Sequence, residues 1–311
     1  MPFLKHKRLW TGREFHRRIA IALGVVLLTT TLPFPLPALA AQVSADSLVG
    51  YWKFDETSGT SAADSSGDGN SGTHTNSPTI STDVPTTAFT NGRSLSFDGT
   101  DDYVDAGNSS TLQAGTQNWT ISSWVKTSTT TRRALISSVD AAALGFYVDV
   151  LATGPVRTGF EGPDDNFVYR DSSVNVNDNV WRNVVVTWNF STKALSVYID
   201  GIDRTTGGGT AGTVTNVLNG SSIKIGETLL SSDPFSGVLD DVRIYSRALS
   251  AGEIAELAAG NHTTAVWDGS SSTDWETAAN WDTSAVPDPF THVIIRSGPA
   301  NRPLMTLAES G

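Results

Sequence analysis

Cysteine is missing from all 311 residues, so disulfides, thiolate zinc sites and cysteine nucleophiles are excluded. Histidine is scarce at five, which leaves little for a histidine-rich metal centre. Glutamate is scarce as well: the 32 acidic residues divide into 24 Asp and only 8 Glu. Helical surfaces favour Glu, whereas turns and cation-binding loops favour Asp, whose short side chain bonds nearby backbone. What the chain does have is 28 Gly, with 39% hydrophobic and 17% charged residues, enough apolar content for a substantial core. This balance predicts an all-β protein with long polar loops.

The first forty residues stand apart. Lys5, Lys7, Arg8, Arg13, Arg17 and Arg18 precede an apolar run from Ile19 to Leu28. Pro33, Pro35 and Pro37 then end any helix, and Ala38-Leu39-Ala40 offers a small-x-small cleavage site. The run is too short for a membrane span. Residues 1–40 therefore read as a cleaved export signal, and the rest as a secreted or cell-surface protein that does not span the membrane after cleavage. Residues 41–311 keep 15 Lys and Arg against 31 Asp and Glu, a net of −16. That field repels phosphate backbones, which argues against nucleic acid, and attracts divalent cations wherever oxygens converge.

Residues 48–258 show a two-residue period broken by turn signals, the pattern of a sandwich or barrel. In Trp119 to Lys126, Ile121, Ser123 and Val125 fall on one face and Trp124 on the other. Val184, Val186, Trp188 and Phe190 share a face, as do Leu195, Val197 and Ile199. Asp200-Gly201 is a tight-hairpin signal, and Asn219-Gly220 before Ile223 and Ile225 has the same form. One helix is marked: Ser250 and Glu253 make a capping box, Leu249 and Ile254 a hydrophobic staple, and Gly260 a stop. Composition changes after Asn261, where Trp267, Trp275 and Trp281 lie in a Ser/Thr-rich stretch. About fifty residues with one strand-like run bury little core alone, so 261–311 reads as the start of a second, incomplete β-rich module.

Several segments carry a family resemblance. These are Tyr51-Trp52-Lys53-Phe54-Asp55-Glu56, Leu95-Ser96-Phe97-Asp98-Gly99, Trp119 to Lys126, and Val197-Tyr198-Ile199-Asp200-Gly201. The closing run from Phe235 to Ser250 is the most specific. In this order they resemble the laminin-G-like, concanavalin A-like jelly-roll domains of bacterial exported proteins. Arg182-Asn183 departs from the His-His that the family often has there. The resemblance implies two antiparallel sheets packed as a jelly-roll sandwich over residues 41–260, with a short C-terminal helix. It also implies a structural Ca²⁺ where the first and last strands meet, with Asp55 and Asp240 as the matching ligands. Asp240 alternates with Val238 and Val242, which places it on their apolar side and Asp241 on the opposite one.

Catalysis has little support in the residues. Glycoside cleavage needs two carboxyls at fixed separation, yet no strand carries alternating Glu-x-Asp-x-Glu, and His74, His262 and His292 have no nucleophile motif nearby. Asp64-x-Ser66-x-Asp68-Gly69 mimics half a calcium loop, but Thr75 stands where a bidentate Glu belongs, which favours a plain Asx turn. Sugar-binding modules use aromatic platforms beside polar groups, and Trp124, Tyr147, Tyr169 and Tyr198 are the candidates; large aromatics in a sandwich more often pack in the core. The expectation is a non-catalytic recognition module of a larger multidomain protein, binding glycans. Adhesion to an extracellular protein is the alternative, and a glycoside hydrolase or lyase role comes third.

Overall fold

A computed structural model describes residues 47–87, 91–228, 233–260, 263–267, 269–274, 277–281 and 291–295. The export signal expected at 1–40 lies outside the described residues, as does Trp275. Among the described residues no helix is long and apolar enough to cross a membrane.

The alternating segments form two antiparallel sheets. The eight-stranded sheet runs Ile202–Asp203, Ala194–Ile199, Arg182–Asn189, Trp119–Lys126, Ser236–Tyr245, Ser94–Asp98, Thr79–Ser81, and Leu48–Trp52 joins it through Ser236–Tyr245. The nine-stranded sheet runs Thr205–Ala211, Phe167–Asn175, Pro155–Glu161, Gly145–Val150, Arg133–Val139, Lys224–Ile225, Tyr103–Asp105, Gly72–Thr75, Ser61–Ala62. The two-residue period decides what lies between them. Ile121, Val125, Val184, Val186, Trp188, Leu195, Val197 and Ile199 point inward from the first sheet, and Ile136, Phe146, Val148 and Phe160 from the second. Phe160 stacks on Trp188 at 4.9 Å between ring centroids, tying sheet to sheet.

Turn chemistry matches one expectation and corrects another. Asp200 and Gly201 both take positive φ, 53° and 77°, as a tight hairpin requires. Asn219 makes no hairpin. Its Nδ2 donates to the carbonyls of Ser138 and Leu144, pinning an irregular 212–223 segment to a neighbouring turn. An Asn side chain serves either purpose, and only tertiary context selects one.

The helix Ala251–Ala258 begins as its sequence demands. Ser250 Oγ accepts from the Glu253 N–H, and Glu253 reaches back to the Ser250 N–H at 2.8 Å. Ile254 and Leu257 rest with Leu249 on Leu48, Tyr51, Val185 and Tyr245. These four point away from the main core, so the helix covers part of the outer face of the eight-stranded sheet.

Beyond the helix, Thr263–Trp267 pairs in parallel with Thr291–Ile295 as a separate two-stranded sheet. Trp267 and Trp281 pack edge to face at 4.9 Å, and buried Asn280 accepts from the Ser271 and Ser272 N–H groups. Trp267 and Trp281 therefore form a small local core, more order than the composition of this segment led us to expect.

Candidate functional sites on the two outer faces

The first site lies where the closing strand changes partner. Ser236–Leu239 pairs with Ser94–Asp98, and Val242–Tyr245 pairs with Leu48–Trp52. Between these stretches, register against Trp119–Lys126 slips from Asp240 to Arg243, and Asp241 adopts φ 48°. An inserted residue of this kind is a β-bulge, and it alters which face the following side chains take. Asp240 consequently lies in register with Trp124 and Asn183 on the outer face, with Val238, while Val242 turns into the main core. The strict alternation expected for Val238, Asp240 and Val242 fails here. Asp241 also fails to point away from its neighbour: its Oδ1 accepts from Tyr51 Oη at 2.6 Å on the same outer face.

The result is a buried polar cluster. Asp240 Oδ2 accepts from Asn91 Nδ2 at 2.7 Å, and its Oδ1 from the Asp241 N–H. Arg243 Nη2 donates to Tyr51 Oη at 2.7 Å and to Asp241 Oδ1 at 3.3 Å. Asp55, exposed, accepts from the Gly92 and Arg93 N–H groups, so the segment after Asn91 links Asp55 to Asp240. Burial, and then the adjacent Asp241 carboxylate, push Asp240 far above the ordinary carboxylate range. Burial raises Asp241 too, against the pull of Arg243. Two buried oxygens of the cluster, Asp241 Oδ2 and Asn91 Oδ1, have no hydrogen-bond partner. Orphaned oxygens beside a pair of crowded carboxylates are what an oxygen-coordinated cation would satisfy, so these residues fit a Ca²⁺ ion. Sequence reasoning singled out Asp55 and Asp240, which the fold brings to one cluster through the 91–93 segment; Asn91, Tyr51 and Arg243 needed the fold.

The other calcium-like features resolve into turns. Asp64 accepts from the Tyr51, Ser66 and Asn70 N–H groups and from Ser66 Oγ, an Asx turn as expected. The carboxyls of Asp98, Asp101 and Asp102 converge, yet Asp98 caps the Thr100 N–H and Asp102 the Asp98 N–H, which is turn chemistry. His74 has no catalytic partner among the described hydrogen bonds; burial lowers its pKa. His262 and the His292 side chain lie outside the described residues.

The second site spans the outer face of the nine-stranded sheet. Ser137, Tyr147, Gly159, Tyr169 and Gly209 stand opposite one another on five adjacent strands, a row perpendicular to the chain direction. A Cβ at Gly159 would come within 2.5 Å of Tyr147 Cζ and Oη, and one at Gly209 within 2.8 Å of the Tyr169 ring. Each tyrosine therefore leans across the bare backbone of the next strand. Asp149, Arg157, Asp171 and Thr206 form the next row. Arg157 grips Asp171 with both Nε and Nη2, at 2.7 and 2.8 Å, and sits 4.5 Å from the Tyr169 ring centroid. Arg132 grips Asp149 Oδ2 through Nε and Nη2 and sits 5.7 Å from the Tyr147 centroid. Burial lifts Asp149 to about 6 despite Arg132, and burial with Glu161 and Asp149 nearby lifts Tyr147 to about 12.

Of the four aromatic candidates, then, Tyr147 and Tyr169 come together in one place. Trp124 is buried between Asn183 and Asp240 in register, and Tyr198 packs half-buried beside the helix. Gly159 and Gly209, which let the tyrosines lie down, have no signal in the sequence without strand register.

Two facing antiparallel sheets with polar, aromatic-bearing outer faces define the jelly-roll sandwich class. The sequence profile of the concanavalin A-like lectin/glucanases superfamily (Laminin_G_3) matches residues 98–255, half of the chain, and the protein belongs to that family. No curated protein sequence matches the chain. Among solved structures, the binding domain of Paraclostridial Mosquitocidal Protein 1 is similar at 16% identity and TM-score 0.57, over 69% of this chain and 52% of that one. Domain 4 of an extracellular arabinanase from Geobacillus stearothermophilus, solved with arabinotriose, is similar at 19% identity and TM-score 0.51, over 68% and 98%. The receptor binding domain of a botulinum neurotoxin C/D mosaic serotype gives 16% and 0.51, over 70% and 52%. The protein thus spans only about half of either toxin domain. At these identities the likeness establishes the fold.

Proposed function

We propose that this protein is a non-catalytic, glycan-binding recognition module of an exported multidomain protein. The observation that carries the reading is the Tyr147–Gly159–Tyr169–Gly209 row. It makes a stretch of sheet in which phenol rings lie across glycine positions with guanidinium groups beside them, a polar surface suited to a sugar chain with its rim of hydroxyls. The carboxyls of this face do not support hydrolysis. Asp149 and Asp171 are engaged by arginines, and Glu161 is displaced from the level of Asp149 by four residues, roughly 13 Å of strand. Glycosidase pairs stand about 5–9.5 Å apart. Protein adhesion has less behind it, because the exposed large hydrophobics among the described residues are Val180, Ile202 and Leu218, with no partner patch around them. The arabinanase domain solved with arabinotriose lends support by analogy of fold alone.

The reading includes a structural Ca²⁺ held by Asp55 and Asp240, with Asn91 Oδ1 and Asp241 Oδ2 completing the set. The intact protein should bind members of a glycan array, and Tyr169→Ala should remove that binding while leaving the fold intact by circular dichroism. Absence of any glycan binding would overturn the proposal. In the same preparation calcium should raise the melting midpoint relative to chelator, and Asp240→Asn and Asp241→Asn should each reduce that rise. An unchanged midpoint in chelator would remove the ion.

A further inference from the structure

Resting on that reading, we infer that the glycan taken by the nine-stranded sheet is an acidic polysaccharide, its carboxylates received by Arg132 and Arg157.

The argument begins with which partner of each ion pair faces outward. The side chains of Arg132 and Arg157 are 39% and 31% exposed, while those of Asp149 and Asp171 are 1% and 22% exposed. Asp149 lies beneath Arg132, and Arg157 is somewhat more exposed than Asp171, so each pair offers guanidinium donors at the surface although it is formally neutral. Each arginine uses Nε and Nη2 on its aspartate. Among the described residues neither Nη1 has a hydrogen-bond partner. Both guanidiniums are also backed by a tyrosine ring, which holds them in place. The entropy of ordering two long side chains is therefore already met before a ligand arrives.

The same packing disfavours a neutral sugar stacked on aromatic rings. Tyr147 is only 7% exposed, with Arg132 beside it, and Arg157 stands over Tyr169. What remains open to a ligand is a pair of fixed cation edges, Arg132 held on Asp149 and Arg157 held on Asp171. A uronate chain supplies carboxylates for those edges. The protein is strongly acidic, net −16 over residues 41–311, and Glu161 and Asp233 act on Arg132, so the two fixed guanidinium edges, and not a net positive field, are what would seat a carboxylate.

The test compares one backbone with and without charge. Affinity electrophoresis of the intact protein is run with polygalacturonate, with its methyl ester, and with alginate, hyaluronate, neutral arabinan and poly-glutamate. Polygalacturonate or another uronate should bind about tenfold or more tightly than the uncharged ester or arabinan, with affinity falling as salt rises. Arg132→Ala and Arg157→Ala should each lose about tenfold, and Arg157→Lys, which keeps charge without the planar fork, should lose part of that. Lys126→Ala, on the other sheet, controls for general charge and should change nothing. Should either alanine variant fail to fold by circular dichroism, Arg157→Lys and the ester comparison decide alone. Equal binding of ester and acid, or preference for arabinan, would overturn the acidic class and leave the glycan module standing. Poly-glutamate binding with no sugar bound would overturn both in favour of a protein partner, and failure of all three uronates would overturn the inference.

Discussion

Gly159 shows how much a missing side chain can decide. Its absent Cβ is the space that Tyr147 occupies, since a methyl group there would stand 2.5 Å from the ring. Gly159→Ala should therefore destabilise the protein by about 1–3 kcal/mol, the usual cost of overpacking a filled position. The measurement is a denaturant midpoint, repeated in Tyr147→Ala, where the clash has gone. The two substitutions should be clearly non-additive, with alanine at 159 nearly neutral once the ring is removed. Additive losses would mean that Gly159 matters for its backbone and leaves the tyrosine free. Nothing in the sequence marks this glycine among 28, because the pairing of Tyr147 with Gly159 depends on strand register twelve residues apart. Tyr147 itself was legible as an aromatic of uncertain use. Its neighbour supplied the meaning.

At the scale of the element, local chemistry and long-range register were legible to different degrees. The helix Ala251–Ala258 announced both of its ends, because caps are made by residues three positions apart and need no tertiary information. The bulge at Asp240-Asp241 did not, because alternation is the only signal a strand carries and a bulge breaks it without altering composition. Hence Asp240 could be singled out by its position in the strand, while the direction of Asp241 was misread. The helix cap also carries a pH dependence. Burial alone would raise Glu253, but the Arg247 guanidinium and the Ser250 N–H and hydroxyl outweigh it and hold the carboxyl down at about 2. A carboxylate lowered in the fold stabilises above its unfolded value, near 4.5, and that stability is lost as pH falls from there through about 2. The difference in melting midpoint between the wild type and Glu253→Gln should thus be largest above pH 5 and shrink towards pH 2. A gap that widens on acidification would contradict the assignment.

For the whole molecule, hydrophobic period and turn residues made the two-sheet class readable, since each strand's inner face follows from its own sequence. Which strands neighbour one another was not readable, and both outer-face sites are products of that order. The boundary expected near residue 260 yields a prediction. No rung joins the Thr263–Trp267 and Thr291–Ile295 pair to either large sheet, and Gly260, at φ 64°, ends the helix just before it. A chain stopped after Gly260 should keep one cooperative thermal transition, within a few degrees of the full protein. Loss of cooperativity would show that the tail belongs to the core.

The pairing of the first strand with the closing one has a mechanical consequence. Leu48 lies opposite Tyr245 and Trp52 opposite Val242, so the two chain directions leave this ladder at the same end. Tension drawn between residues 47 and 246 would load the rungs one after another, as a zipper is opened, and never all together in shear. The first resistance would come from a small clasp at that end: the Ser246 N–H to the Ser47 carbonyl at 2.8 Å, and Arg247 Nε to Ser47 Oγ at 2.8 Å. Arg247 is itself moored to Glu253 on the helix, so a pull on either end is passed at once to the cap of the helix.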